Sequence, residues 1–434
     1  MNKGNVKALL PILIFLILYL GLGILFEYFL KISMGFYNVP IVVAFLASLF
    51  TACMQNRKLS FDDKLTIMGN GVGDKNIVTM ILIFLEAGIF VGVAGRQSAE
   101  SVAYFMLSVI PPQYAVVVLF VVSSFVSLSM GTSVGTITLL TPIAAAVSQA
   151  SGFNLSLCVS TIIGGAMFGD NLSFISDTTI AACNGQGCNM KDKFRENFFI
   201  ALPAAIITLI ILLVMSYNAD INGSVTNEYN LIELIPYILV LIGGILGINV
   251  FVVLLIGIVS GSIIMLLNGN TQPVALLSDM GSGASGMFET IIVTFLVSAI
   301  CALIREYGGF DALLYGIKKV FKGKRTGLFG IGILVGVLDI ATANNTVAIV
   351  MANPIAGEVA QDYGIARKKV ASMLDIFSCV FQAILPYGAQ MLVATSAISS
   401  LGTHISAFEI IPKLFYPYLL CIFALIAIFV KKTD

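Results

Sequence analysis

The sequence is poor in charged and in several reactive side chains. Only 11% of its 434 residues are charged, tryptophan is absent and histidine occurs once. The 23 Lys and Arg residues balance the 23 Asp and Glu residues, which argues against a polybasic nucleic-acid surface or an acidic tail. Hydrophobic residues make up 58% of the chain, and the mean hydropathy is +1.01. This composition excludes a water-soluble enzyme and predicts an integral membrane protein.

Groups that mark enzymes and metal sites are also scarce. The seven Cys residues are scattered, mostly inside apolar runs, so no disulfide framework is expected. Cys183 and Cys188 are close in sequence, but no His or further Cys lies nearby to complete a zinc site. His404 falls in a predicted loop, the predicted membrane segments hold no Ser/Lys pair, and a Walker-type phosphate loop is missing. The sequence therefore predicts no enzyme activity, no cofactor and no ATP-driven step.

Long apolar runs dominate the chain instead. Stretches 131–184 and 343–400 are apolar but interrupted by polar and Gly-rich tips, which predicts broken or re-entrant helices. We expect an all-α integral membrane protein with about 12–14 membrane segments. Since a spanning helix needs about 20 apolar residues, simple crossings are predicted near 7–30, 37–54, 76–96, 113–130, 197–217, 232–247, 249–267, 288–305, 327–342 and 410–430.

Lys and Arg indicate the orientation, because short cytoplasmic loops hold them in excess. The loops 218–231, 270–287 and 393–408 contain neither residue. The basic clusters are Lys3 and Lys7; Arg57, Lys58, Lys64 and Lys75; Lys191, Lys193 and Arg195; Arg305, Lys318, Lys319, Lys322, Lys324 and Arg325; Arg367, Lys368 and Lys369; and Lys431 and Lys432. Both termini are therefore predicted to be cytoplasmic.

The two halves of the sequence are similar to each other at an offset of about 212 residues. This offset aligns Pro142-Ile143-Ala144 with Pro354-Ile355-Ala356. Equivalent loops differ in charge, since 57–75 is basic and 270–287 is not. We therefore expect equivalent loops on opposite sides of the membrane, the pattern of two inverted-topology repeats. The predicted organisation is a first repeat at 1–217, an outer connecting loop at 218–231 and a second repeat at 232–434.

An inverted duplication suits a carrier that exposes one central site to either side in turn. A channel needs one continuous path and gains nothing obvious from such a duplication. The repeat therefore favours a secondary active transporter over a channel.

Polar interruptions at matching positions of the two halves indicate where the transported species binds. They lie at 129–136 and 169–179 in the first half and at 339–346 and 375–390 in the second. An unwound stretch rich in Ser, Thr, Asn and Asp offers the hard oxygens that suit Na⁺, and a helix N-terminus can hold an anionic group. From the repeat alignment, the second-half candidates for ion or substrate binding are Asp339, Asn344, Asn345, Thr346 and Asp375.

Carboxylates at membrane depth are candidates in their own right, because a charge there is costly and usually functional. Asp170 and Asp177 are seven residues apart, which places both on one face if the helix between them is continuous. If the chain unwinds between them, that inference fails. Glu86 lies mid-segment without a basic neighbour in sequence, so it is either a proton or ion carrier or an internal structural partner.

The run Gly169-Asp170-Asn171-Leu172-Ser173-Phe174-Ile175-Ser176-Asp177-Thr178-Thr179 resembles the signature of the NhaC-type sodium/proton antiporter family. The segment 131–136, followed by Pro142-Ile143-Ala144, is similar to an earlier motif of that family. Phe174 replaces the usual proline and Val134 replaces a frequent tryptophan. The resemblance implies a cation-coupled carrier of a bacterial inner membrane. It assigns ion or substrate binding to Asp170, Asn171, Ser173, Ser176, Asp177, Thr178 and Thr179, with Thr132, Ser133 and Thr136 beside them, and it suggests Asp170 and Asp177 as Na⁺ ligands.

Two functions stay open at this stage. The first is Na⁺/H⁺ antiport, in which intramembrane carboxylates bind Na⁺ and H⁺ in competition. The second is transport or exchange of a small organic acid or amino acid, coupled to Na⁺ or H⁺, which the many neutral hydroxyls and amides of the breaks favour. Expected partners are membrane lipid, Na⁺ and H⁺, with an organic acid or amino acid under the second function, no nucleic acid, and a homodimer as the candidate assembly.

Overall fold

The computed structural model describes residues 4–31, 38–174, 176–217, 229–246, 248–269, 271–321 and 323–430. Ile175 of the signature and most of the predicted connecting loop, residues 218–228, lie outside them. All regular secondary structure in the described ranges is helical. In chain order the α-helices are α1 Leu10–Leu16, α2 Leu22–Ile24, α3 Ile41–Met54, α4 Phe61–Val72, α5 Lys75–Val109, α6 Ala115–Met130, α7 Ser133–Ser151, α8 Leu155–Leu172, α9 Asp177–Gln186, α10 Met190–Tyr217, α11 Ile235–Ile245, α12 Val250–Leu267, α13 Pro273–Gly286, α14 Phe288–Glu306, α15 Gly309–Val320, α16 Lys324–Thr342, α17 Asn345–Tyr363, α18 Arg367–Ile384, α19 Ala389–Ser400, α20 Ala407–Ile410 and α21 Phe415–Phe429.

Nine helices of the described part are long and apolar enough to cross a membrane, and the number rises to 11 if each of two bent pairs counts as one span. The bent pairs are Ser98–Val109 with Pro112–Leu128, at 113°, and Ala407–Lys413 with Phe415–Phe429, at 49°. The prediction of an all-helical, multi-pass membrane protein is therefore confirmed, while the described part has fewer such spans than the 12–14 segments expected. The nine spans are Val6–Ile24, Ile77–Ala94, Ser133–Ser151, Leu155–Gln186, Met190–Tyr217, Val250–Leu267, Pro273–Glu306, Lys324–Thr342 and Arg367–Ser400.

Within the two interrupted stretches, only α9 and α19 have the length of half-helices, with 10 and 12 residues. The two helices before α9 are longer than the broken or re-entrant helices predicted there, since α7 has 19 residues and α8 has 18. Pro142 lies inside α7 without ending it, and neighbouring elements can satisfy a backbone group that a proline frees. The interruptions therefore fall between helices, where capping side chains are available.

The break before α7 and the break before α17 have the same construction. α6 ends at Gly131, whose φ is +69°, and Thr132 then caps α7 by accepting a hydrogen bond from the Gly135 N–H at 3.3 Å. α16 ends at Ala343, whose φ is +48°, and Asn344 caps α17 in the same way. A left-handed residue satisfies the end of one helix, and an extended polar residue satisfies the start of the next.

Helix boundaries recur at the offset found in the sequence. α7 and α17 begin 212 residues apart, and so do α8 and α18 and also α9 and α19. The packing is reciprocal as well, because α9 packs against α17 while α19 packs against α7. Each short helix of one half therefore rests on the long helix that follows the break in the other half.

Glycines allow close helix crossings at a second reciprocal contact, in which α13 packs on α5 and α4 packs on α14. A Cβ atom at Gly283 of α13 would collide with the carbonyl oxygen of Gly88 on α5, and one at Gly88 would collide with the carbonyl oxygen of Gly283. Small residues at such crossings let two backbones approach closely, and the van der Waals packing gained there helps to hold helices together in lipid. This contact holds α5, which supplies one wall of the central cavity.

The start of α4 lies outside the predicted spans and is fixed by local hydrogen bonds. The Ser60 hydroxyl accepts the Asp63 N–H at 3.1 Å, and the Asp63 carboxylate accepts the Ser60 N–H at 3.0 Å. The Ser60 hydroxyl also donates to the Asp63 carboxylate at 2.7 Å, and this bond, together with the one from the Ser60 N–H, holds the pKa of Asp63 below its usual range. The result is a capping box, which satisfies two backbone donors at the first turn.

We expect Gly283→Ala to destabilise the protein by about 1–3 kcal/mol, because the added methyl group must force α13 away from α5. Gly281→Ala is the matched control on the same helix, since a Cβ atom there meets nothing within 4 Å. Thermal unfolding of both variants in detergent measures the effect. Equal melting temperatures for the two variants would contradict the close crossing.

Candidate functional site

The four polar interruptions meet at one cavity of about 70 Å³ between the halves of the chain. Nine of the residues predicted for ion or substrate binding line it, and they come from both halves. Among the described residues no Lys, Arg or His belongs to the lining. The lining consists of Thr79, Met80, Ile83, Gly131, Thr132, Ser133, Val134, Asp170, Ser176, Asp177, Thr178, Asn344, Asn345, Thr346, Gln382, Ala389 and Gln390.

Four helices begin at this cavity. Ser133, Asp177, Asn345 and Ala389 are the first residues of α7, α9, α17 and α19, and each of them lines it. Helix N-termini carry partial positive charge from unpaired N–H groups. Acidic side chains close to these ends therefore gain electrostatic stabilisation.

Asp170 and Asp177 converge although the chain unwinds between them. Asp170 lies in the last turn of α8 and is 6% exposed, whereas Asp177 begins α9 and is exposed. The Ser176 hydroxyl donates a hydrogen bond to Asp170 Oδ1 at 2.9 Å, and its oxygen lies 2.9 Å from that of Thr178. The break itself brings the two carboxylates to one cavity, so the shared helix face expected from their spacing is not the cause.

The second half supplies amides where the first half supplies Asp170 and Thr178. Gln382 and Gln390 lie 212 residues after them and line the same cavity. Gln390 Nε2 donates to the Ser133 hydroxyl at 3.1 Å, and Gln382 Nε2 donates to the Ala343 carbonyl at 3.0 Å. The side-chain oxygens of both glutamines are buried and have no hydrogen-bond partner among the described residues. Both glutamines lie in the predicted interruption at 375–390 but are not among the residues predicted for ion or substrate binding, although the repeat offset identifies them.

Asp375 does not line the cavity and is instead paired with a buried lysine. Lys193 Nζ lies 2.6 Å from Asp375 Oδ2, and both side chains are 1% exposed. The same ammonium donates to the Thr179 hydroxyl at 2.7 Å and to the Asn171 carbonyl at 3.2 Å. Lys193, predicted in a basic loop cluster, is therefore a buried residue of α10, where it supplies the counter-charge that the buried Asp375 carboxylate requires.

Asn197 completes what we call the Lys193 cluster, which consists of Lys193, Asn197, Asp375, Asn171 and Thr179. Asn197 Nδ2 donates to Asp375 Oδ2 at 2.7 Å and to the Asn171 carbonyl at 2.9 Å. The structure thus places three predicted binding residues, Asn171, Thr179 and Asp375, in a polar cluster beside the cavity. This cluster connects α10 and α18 to the break that follows Asp170.

A signal for the cluster was present in α10. Lys193 and Asn197 are four residues apart, and Ala201, Ala205 and Thr208 continue the same buried face. A lysine aligned with a stripe of small buried residues points into the protein. Because Lys193 lies between Lys191 and Arg195, the charge pattern groups it with a basic loop and not with the buried face of α10.

The remaining predicted residues have other places. Thr136 donates to the Thr132 carbonyl at 2.9 Å, and Ser173 is the buried C-cap residue of α8. Glu86 lies in α5 away from the cavity lining, and its Oε2 is buried with no hydrogen-bond partner in the described part of the chain. Asp339 is fully buried and also does not line the cavity.

The two departures from the familiar motif have visible consequences. The chain breaks between α8 and α9 without proline, and the ring of Phe174 stacks on Phe194 with 4.7 Å between centroids. Val134 lines the cavity with a small side chain. The break therefore forms without the ring of a proline, and the Phe174 ring packs against α10 instead.

Comparison with a model of the Na⁺/H⁺ antiporter family gives matches at residues 4–217 and 228–432. The sequence is 27% identical to a malate-2H⁺/Na⁺-lactate antiporter of Bacillus subtilis over 257 residues, which cover 56% of this chain and 53% of that protein. It is 22% identical to the Na⁺/H⁺ antiporter NhaC of the same organism over 395 residues, which cover 83% and 86%. Among solved structures, the YdaH transporter of Alcanivorax borkumensis aligns with a TM-score of 0.45 and 13% identity, over 85% of this chain and 89% of that one.

We expect Asp375→Asn or Lys193→Met to destabilise the fold by about 3–5 kcal/mol, because each leaves one buried charge without its partner. Glu196→Gln is the matched control, since Glu196 and Lys368 form a more exposed pair between the same two helices, at 3.0 Å. That change should cost less than about 1 kcal/mol. The double variant Lys193→Met/Asp375→Leu should recover much of the loss. Denaturant unfolding measures all four, and an Asp375→Asn variant as stable as Glu196→Gln would refute the buried pair.

Proposed function

Because the chain belongs to the Na⁺/H⁺ antiporter family, we propose that it exchanges Na⁺ for H⁺ by alternating access and binds both ions at the cavity between the two breaks. The observation that supports this site most directly is that two carboxylates and the polar breaks of both halves line one cavity. Intramembrane carboxylates typically mark ion or proton sites.

The chemistry of the lining suits a small hard cation. Asp170 and Asp177 supply negative charge, and the Thr178 hydroxyl and the Gln390 amide oxygen supply neutral ligands. Oxygen ligands of this kind are the ones that hard cations prefer. A volume of about 70 Å³ admits one ion together with a few waters, each of which needs about 10–15 Å³.

The burial of Asp170 couples the two ions. An ionised carboxylate that is 6% exposed costs several kcal/mol when it is unpaired, so the empty charged form cannot move readily through a closed conformation. Bound Na⁺ or a bound proton removes that cost. Only the Na⁺-bound or the protonated protein then switches the side to which its cavity opens. The result is exchange of Na⁺ for H⁺.

Asp177 indicates the side to which this conformation opens. Its side chain is exposed, and the Lys75 ammonium is near enough to attract it electrostatically. Lys75 belongs to a basic cluster that we predict to be cytoplasmic. On this basis the conformation faces the cytoplasm, with both termini on the same side of a bacterial inner membrane.

The helix boundaries that recur at 212 residues and the reciprocal packing of α9 and α19 support two inverted repeats, 1–217 and 232–434. Exchange of their conformations would open the cavity to the other side. A homodimer stays a prediction from the sequence.

One observation favours a second candidate, coupled exchange of a small carboxylate or amino acid. Four helix N-termini meet at the cavity, and such ends can bind a carboxylate group. The Bacillus subtilis relative that exchanges malate and lactate makes this class of substrate the one to test.

We expect Asp170→Asn to abolish Na⁺-driven proton movement, because the amide can hold neither the proton nor the charge that binds Na⁺. Asp177→Asn should weaken the apparent Na⁺ affinity about tenfold, the effect of roughly 1.4 kcal/mol lost from a partly solvated charge. Proteoliposomes with a trapped pH dye and an imposed Na⁺ gradient give both values. Glu196→Gln is the control, and wild-type flux in Asp170→Asn would disprove the role of this carboxylate.

The same proteoliposomes distinguish the two functions. Na⁺ alone should move protons in the wild-type protein if the exchanged ions are Na⁺ and H⁺. Flux that begins only after hydroxy acids or amino acids are added would show that the cavity carries an organic substrate, because movement of the coupling ions then requires bound substrate.

A further inference from the structure

Asp339 is a buried carboxylate that the cavity does not use. It lies in the last turn of α16 and is 0% exposed. Neither side-chain oxygen forms a hydrogen bond of good geometry in the described ranges, although the Gln382 backbone N–H lies beside the carboxyl group. Titratable groups on the neighbouring elements are Cys301 of α14, Cys379 of α18 and Tyr387 before α19. None of these is a base that could serve as a counter-ion.

An ionised carboxylate in this environment would be unstable. An isolated charge in an apolar interior costs far more than a neutral polar group of the same shape. The C-terminal end of α16 adds to the cost of the ionised carboxylate, because the last turn of a helix carries partial negative charge. The carboxyl group of Asp339 therefore carries a proton in this conformation.

The other half of the chain shows that the scaffold does not need an acid here. The residue 212 positions before Asp339 is Ser127, whose hydroxyl donates to the Ala166 carbonyl at 2.5 Å. At the equivalent position of the first half, a serine hydroxyl on α6 is thus satisfied by one hydrogen bond to α8. Asp339 makes no such bond, so helix packing does not account for it.

Asp339 also lies beside the break that forms the cavity. Its carbonyl accepts the Ala343 N–H at 2.7 Å, and the Ala343 carbonyl in turn accepts Gln382 Nε2 at 3.0 Å. Gln382 lines the cavity. A change at the cavity that moves Gln382 therefore reaches the last turn of α16 through two hydrogen bonds.

We propose that Asp339 is a second proton-binding residue of the transport cycle, separate from the Asp170 and Asp177 cavity. The proposal rests on the Na⁺/H⁺ exchange proposed above. Asp339 binds a proton while the α16 break is open to water on one side, is buried with it during the change of conformation, and releases it when the break admits water from the other side. One proton per cycle then moves in addition to the ions that exchange at the cavity.

Two variants remove the titratable group and leave the cavity lining intact. Asp339→Asn has nearly the shape of the protonated acid, and Asp339→Ser installs the residue that the first half has at this position. We expect the H⁺/Na⁺ coupling ratio, measured from reversal potentials in proteoliposomes, to fall by one proton in both. Na⁺ binding, followed as the Na⁺-dependent rise in melting temperature, should stay within twofold of wild type. Asp192→Asn, an exposed carboxylate at the start of α10, should change neither value.

Infrared spectra test the protonation state without transport. The carbonyl band of a protonated carboxylic acid should be present in the wild-type protein at neutral pH and reduced in both Asp339 variants. An unchanged coupling ratio, or an undiminished band, would overturn the proposal. Loss of Na⁺ binding in the variants would overturn it as well, because Asp339 would then belong to the cation site. Absence of Na⁺-driven flux in the wild-type protein would instead refute the proposed function.

Discussion

A polar group buried in a membrane protein must find its partner inside the protein, because lipid offers no hydrogen bond in exchange for water. Three buried aspartates among the described residues meet that constraint in different ways. Asp375 has Lys193 at 2.6 Å, and Asp170 has the Ser176 hydroxyl and a cavity. Asp339 has no side-chain hydrogen bond of good geometry among the described residues. The first arrangement holds helices together, and the other two leave a position for a cation or a proton.

The same constraint determines how the backbone turns at the cavity. The breaks before α7 and α17 end one helix with a left-handed residue and begin the next with a polar cap, at Gly131 and Thr132 and at Ala343 and Asn344. These caps satisfy N–H groups at the start of the second helix. They also leave side-chain and carbonyl oxygens around the cavity, so the same capped breaks stabilise the helix ends and provide ligands.

Much of this arrangement could be predicted from the sequence. The polar interruptions and the repeat offset located Asp170, Asp177, Asn344 and Asn345, because both signals are local or internal to the chain. Lys193 could not be predicted from loop charge, since the positive-inside rule counts lysines and does not say which way one points. The separation of Asp339 and Asp375 from the cavity depends on helix rotation and packing, which one sequence does not reveal.

The crosswise contacts also have a consequence for how the protein is made. Ser133 of the first half bonds Gln390 of the second, and Lys193 is neutralised by Asp375 across the same divide. While the second half is still being synthesised, Lys193 lacks the carboxylate that contacts it in the finished protein, and the cavity lacks the wall that Gln382 and Gln390 supply. The core of the first half is therefore completed only when α18 and α19 pack against it.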